Sequence, residues 1–301
     1  MLKKVSVTLK AQGIGGLLHA ARRVIAPFRA RCLKLCRQLL EGKTGLEIGG
    51  PSGVFGRHGL LPLYPVIASL DNCNFATETT WAGSVREGAP FNFSRRRPPG
   101  RQYVAEATNL SQIRTGAYNF MLASHVIEHT ANPLLALSEW IRVLDDDGVL
   151  VLLIPHKDGT FDHRRPTTTL EHLVQDFDRE VSEDDQTHLA EILQLHDLKR
   201  DPEAGTPEAF RQRSEANADN RCLHHHVFDT RLAVRLLDRM GLQILAVEAA
   251  RPNHIVAVAQ KPGKTMLADN GKFLATTTAF LDQSPFPSDR QLAPMSLQSS
   301  R

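Results

Sequence analysis

The seven-residue run Val149–Pro155, VLVLLIP, restricts the fold of this chain more than any other segment. A strand with one wet face alternates apolar and polar positions. An unbroken apolar run of this length reads instead as a strand buried on both faces, at the centre of a parallel sheet covered by helices. The segments before it repeat the theme. TGLEIGG from Thr44, YPVIASLD from Tyr64, RQYVAEATNL from Arg101 and YNFMLAS from Tyr118 each read as a strand running into a loop. Asn132 followed by Pro133 predicts a helix start, a side-chain cap with proline at the first helical position. Leu134, Leu137, Ile141 and Leu144 follow at helical spacing. DTRLAVRLLDRMG predicts a further helix stopped by Gly241. LQILAVEAA and HIVAVAQKP then predict an antiparallel pair turning at Arg251–Asn253. Strands alternating with helices imply an α/β fold.

Composition narrows the function. The chain has 301 residues, 42% of them hydrophobic, so it can bury a large core. A net charge of +3 is too balanced for a general nucleic-acid binder. Cys32, Cys36, Cys73 and Cys222 form no CxxC pair, which suits a reducing, cytoplasmic setting. No apolar run approaches the ~20 residues of a membrane span. Charge is unevenly spread. Met1–Leu40 holds nine Lys and Arg and no acid, with apolar residues at helical spacing. Residues 1–42 therefore read as a basic helical arm, packed on the domain or lying on an anionic membrane as a peripheral contact, with an Arg-rich, acid-poor targeting peptide as a third reading. A tail over 262–301, rich in Ser, Thr, Pro and Gln, is expected to be mostly disordered. The central domain is expected over 43–261.

In an open α/β sheet, ligands bind beyond the carboxyl ends of the strands. Glu47 closes the first strand beside small residues Gly49, Gly50, Ser52 and Gly53, which let backbone approach a ligand closely. Asp71 is placed at the end of the second strand, 24 positions on, where a carboxylate can accept from two ribose hydroxyls. Glu106 and Ala107 end the third. Pro51 stands where a middle glycine is usual, and removes one backbone donor.

Together these motifs resemble a class I S-adenosylmethionine-dependent methyltransferase over about Gly45–Lys261. EIGGPSG is similar to that family's acidic, glycine-rich loop, and Glu106-Ala107-Thr108-Asn109-Leu110 to its adenine-contacting stretch. SHVIEH, Ser124–His129, is similar to the segment lining the methionine side, and VLDDDGVLVLLIP to the LKPGGxLxxxxP segment. The resemblance implies a Rossmann-like, seven-stranded, mostly parallel sheet with an antiparallel last strand. It implies S-adenosyl-L-methionine as cofactor, held by Glu47, Gly49, Gly50, Ser52, Asp71, Asn72, Glu106, Ala107, Ser124 and His125.

The acceptor is expected to bind the segment between His156 and His226, a long insert after the fifth strand that holds eight of the 13 histidines. Methyl transfer to a hydroxyl profits from a base that titrates near neutrality, and histidine is the usual choice. His163, oriented by the adjacent Asp162, is the expected base, with His129 as a further catalytic candidate. Arg164, Arg165, His172, His224 and His226 are expected to bind the acceptor, a small hydroxyl-bearing molecule or a glycan. No metal is assigned. Two alternatives stand beside this reading: an inactive binding protein of the same fold, supported by Pro51, and a metal-assisted enzyme using the histidines of the insert.

Overall fold

The computed structural model of the chain describes residues 28–263 and 265–291. Of the expected basic arm, residues 1–27 lie outside the described residues; its last turns are α1 (Leu33–Leu40). The sheet strands are β1 (Thr44–Ile48), β2 (Ser69–Asn74), β3 (Pro90–Phe91), β4 (Gly100–Val104), β5 (Tyr118–Ser124), β6 (Leu144–Pro155), β7 (Gln243–Ala250) and β8 (His254–Gln260). Their order is β3-β4-β2-β1-β5-β6-β8-β7. The run from β4 to β6 is parallel. β8 is antiparallel to both neighbours. The expected Rossmann-like sheet is present, with short β3 added antiparallel at one edge.

The apolar run of β6 lies at most 1% exposed from Val149 to Ile154. Its side chains divide between two cores because successive residues face opposite sides of the sheet. Leu150, Leu152 and Ile154 pack with Trp140, Leu236 and Leu237 on one side. Val149, Val151 and Leu153 pack with Leu40, Leu63 and Ile67 on the other. The helix start forms as expected: Asn132 Oδ1 accepts from Leu135 N–H at 3.0 Å to open α2 (Pro133–Val143).

The insert is not one long loop. It contains α3 (Leu170–Asp178), α4 (Leu189–Leu195), α5 (Pro207–Glu215) and α6 (Asn217–Asn220). The chain then returns through α7 (Thr230–Arg239), capped by Asp229 Oδ1 at 2.8 Å from Leu232 N–H.

The tail corrects its expectation over the described residues. Asp289 is 1% exposed. It accepts from Thr230 Oγ1 and Ser284 Oγ, both at 2.6 Å, and lies 3.1 Å from His156 Nε2. Phe286 stacks on His156 with ring centres 4.0 Å apart, and Phe280 and Leu281 join the core. A polar average composition concealed these few anchors, each of which fixes backbone around it.

Candidate active site

A cavity of about 280 Å³ opens at the carboxyl ends of β1, β2, β4 and β5. Gly49, Pro51 and Ser52 line it from the loop after β1, Asn74 and Phe75 from the end of β2, and Glu106 and Ala107 from beyond β4. Ser124, His125 and His129 line it from beyond β5, and Trp81, Glu183 and Arg221 complete its wall.

Buried groups beneath the glycine-rich loop shape it. Glu47 is 0% exposed. Its Oε1 accepts from Ser52 N–H at 2.9 Å, and Tyr64 Oη donates to its Oε2 at 2.7 Å. Burial pushes the Glu47 carboxyl up to about 8, against the lowering pull of Tyr64 and Ser52. Asn72 Oδ1 accepts from Gly50 N–H at 2.9 Å, and Asn72 Nδ2 donates to Gln102 Oε1 at 2.9 Å. Gly49 has φ +73°, a conformation glycine adopts without steric cost. Pro51 has no N–H to place, and the neighbouring donors are already engaged, so the loop keeps its form with the proline in the cavity wall. The Gly50–Pro51 bond is cis.

Several expected cofactor residues therefore stand elsewhere. Glu47, Gly50 and Asn72 support the loop from below and do not line the cavity. Asp71 is not at a strand end. It pairs with Leu46 in mid-sheet, accepts from Arg101 N–H at 2.7 Å and takes the Tyr118 hydroxyl at 2.7 Å. β2 runs three residues further, and Asn74 occupies the place expected for Asp71. The register of β2 on β1, in which Glu47 pairs with Asn72, sets this end. Gly49, Ser52, Glu106, Ala107, Ser124 and His125 do meet at the cavity.

The insert residues are corrected more heavily. His163 does not line the cavity; its Nε2 lies 2.9 Å from Asp197 Oδ2, to which Arg164 also reaches at 3.3 Å. Asp162 does not orient His163. It is 2% exposed and holds His224 Nδ1 at 2.5 Å and Arg165 Nη1 at 3.1 Å. Arg165, 1% exposed, also donates to Glu191 and to the carbonyls of His224 and His225. Arg165 is thus an internal clamp and not an acceptor-binding group. His172 and His226 meet Asp176 and His188 behind the cavity. Adjacency in sequence misled here because successive side chains in an irregular segment point to unrelated surroundings.

His129 is the expected catalytic residue that does reach the cavity. Its Nδ1 meets the Leu223 carbonyl at 2.9 Å, which fixes the tautomer and leaves Nε2 bare. Burial, then the charge of His224, hold its imidazole well below the usual range, so it is neutral near pH 7. Trp81 packs on it with ring centres 5.2 Å apart. Beside it Glu128, 0% exposed, has neither carboxylate oxygen hydrogen-bonded. Its Oε1 lies 3.7 Å from His129 Nε2 and 3.6 Å from His125 Nδ1. Arg221 closes the far wall, donating to Glu106 Oε1 at 2.6 Å from an αL backbone at φ +54°. Trp81, Glu183 and Arg221 carried no local sequence signal, and the path of the insert brings Glu183 and Arg221 to the cavity; Glu128 lay within the SHVIEH segment but was not singled out there.

Glu128 makes a pH prediction. Burial pushes its carboxyl from 4.5 up to about 7, opposed by His224. The folded chain keeps this proton to higher pH than the unfolded chain. The resulting stability is complete below about 4.5 and is lost as pH rises through about 7. Glu128→Gln removes that loss. Its melting temperature should therefore gain on that of the wild type as pH rises from about 5 to 8. A difference constant with pH would overturn this account.

The profile of a family described as "Methyltransferase domain" matches residues 17–203. No curated protein matches the chain in sequence. Solved structures to which the chain is similar include a SAM-dependent methyltransferase from Aquifex aeolicus (12% identity, 77% of this chain and 89% of that one, TM-score 0.40). Another SAM-dependent methyltransferase, from Methanosarcina mazei, shares 17% identity over 76% of this chain and 98% of that one, with a TM-score of 0.43. The 1,6-didemethyltoxoflavin-N1-methyltransferase of Burkholderia thailandensis, solved with 1,6-didemethyltoxoflavin and S-adenosylhomocysteine, shares 12% over 86% of this chain and 90% of that one, with a TM-score of 0.42.

Proposed function

The chain belongs to the methyltransferase-domain family, and from that premise we propose that its cavity presents S-adenosylmethionine to a small hydroxyl-bearing acceptor held against His129, Trp81, Glu183 and Arg221. The observation that carries the reading is the coincidence of one cavity with the ends of four parallel strands, glycine loop at one end and neutral imidazole at the other. S-adenosylmethionine is the methyl donor. In this reading Asn74 takes its ribose, Glu106 its adenine, and Gly49 and Ser52 its amino-acid end, supported by the cavity that all four line.

The donor is already activated as a sulfonium, so the protein's work is orientation and exclusion of water. In the in-line step the acceptor oxygen forms the new O–C bond while the C–S bond breaks. The electron pair returns to sulfur, giving S-adenosylhomocysteine. The hydroxyl proton passes to Nε2 of His129, and the Glu128 carboxylate, 3.7 Å from that nitrogen, steadies the imidazolium so formed. Glu183 and Arg221 supply an acceptor and a donor for a polyol or sugar hydroxyl. No helix among the described residues is long and apolar enough to cross a membrane. The excess of Lys and Arg over residues 1–27 suits peripheral contact with an anionic membrane.

Calorimetric titration with S-adenosylhomocysteine tests the placement. Asn74→Ala should weaken binding about tenfold, the loss of one good hydrogen bond. Asp71→Ala, outside the cavity lining, should stay within about twofold. The reverse ranking would return the ribose to Asp71 and sink the assignment.

A further inference from the structure

The insert gathers four ligand-capable side chains away from the cavity. His172 and Asp176 lie one turn apart on α3, His188 immediately precedes α4, and His226 sits where the insert returns to the sheet. One ligand atom from each lies within 4.8 Å of every other. His172 Nε2 is 3.0 Å from His188 Nε2 and 3.2 Å from Asp176 Oδ2, and His226 Nε2 is 3.8 Å from the same oxygen. Asp176 is 7% and His226 1% exposed. Both carry an atom with no hydrogen-bond partner, Oδ2 of Asp176 and Nδ1 of His226. Buried polar atoms without partners are uncommon, because each forfeits its hydration.

We infer that His172, Asp176, His188 and His226 bind one divalent transition ion of the Zn²⁺ class. Metal–ligand bonds of about 2.0–2.2 Å in a tetrahedron place donors roughly 3.3 Å apart, close to the 3.0 and 3.2 Å that separate the His172, His188 and Asp176 atoms. Three imidazoles and one carboxylate suit zinc, and supply too few oxygens for calcium or magnesium. The Ala131 carbonyl lies 3.1 Å from His226 Nε2, an outer contact that takes the ring proton and leaves Nδ1 as the bare nitrogen. His172 and His188 are partly exposed, which gives the ion a path in. Four protein ligands close the coordination sphere, the pattern of a structural site. Its effect is to pin α3 and α4 to the returning segment. Glu183 lies between those helices and Arg221 just before the segment, so the ion braces the acceptor wall.

The test uses the full chain stripped with chelator and titrated with Zn²⁺ alone. Stoichiometric uptake of one ion and a raised melting temperature are expected. His188→Ala and, separately, Asp176→Asn should weaken uptake by roughly 100-fold or more and abolish the melting shift. Retention of S-adenosylhomocysteine binding by the stripped variants shows that they are folded, and reads the methyltransferase assignment separately. Absence of stoichiometric uptake by wild type overturns the inference. So does a metal lost in His224→Ala but kept in His188→Ala, which would move it to the Glu128, His129 and His224 group.

Discussion

Arg165→Ala is expected to cost about 3–5 kcal/mol of unfolding free energy, the range for removing one partner of a buried ion pair. The guanidinium donates to Asp162 Oδ1 at 3.1 Å, Glu191 Oε1 at 2.7 Å, and the carbonyls of His224 at 2.7 Å and His225 at 3.1 Å. It ties the start of the insert to its end. Burial alone would raise the Asp162 carboxyl, but His224 and Arg165 outweigh it and hold it down to about 2. The stability from that ionised carboxylate is present above about 3.8 and is lost as pH falls through about 2. With Arg165 gone, a carboxylate 2% exposed keeps only His224 beside it. Urea unfolding at neutral pH measures the cost. A loss under about 1 kcal/mol, the scale of a surface pair, would show that the clamp is incidental. Adding Asp162→Asn should recover part of the loss, since a neutral amide is cheaper to bury unpaired than a charge.

Gly50→Ala is expected to lower kcat/KM for S-adenosylmethionine on the order of 100-fold, the cost of a reactant displaced by about 1 Å. A methyl group at Gly50 would stand 2.4 Å from Glu47 Cδ, 2.5 Å from its Oε2 and 2.8 Å from Asn72 Oδ1. Those groups cannot yield, because each is fully buried and hydrogen-bonded beneath the loop. The loop itself must move, and Pro51 and Ser52 in the cavity wall move with it. Gly53→Ala is the matched control. Nothing lies within 4 Å of the added carbon there, so its kinetics should stay near wild type. Equal kinetics for the two variants would mean that the support under the loop does not set the donor site.

What the sequence determined by itself was the layering. Val149–Pro155 had to lie between two helical layers, since no face of it tolerates water. Asn132 and Asp229 had to open helices, since each places an acceptor on otherwise unpaired backbone N–H groups. These are local rules acting over a few residues, and the glycine loop and SHVIEH segment followed from them in their expected places. Partners across the fold were decided by tertiary structure alone. Asp71 was legible as an acid near a strand end, but the register of β2 on β1 moved the end to Asn74. His163 was legible as a base beside Asp162, but the backbone turned one to Asp197 and the other to His224, 62 residues away. Asp289 drew a polar tail into the core by meeting Thr230, 59 residues distant. Such pairings depend on where a long connection returns. That return is set by the burial of the whole molecule, which no local period or spacing records.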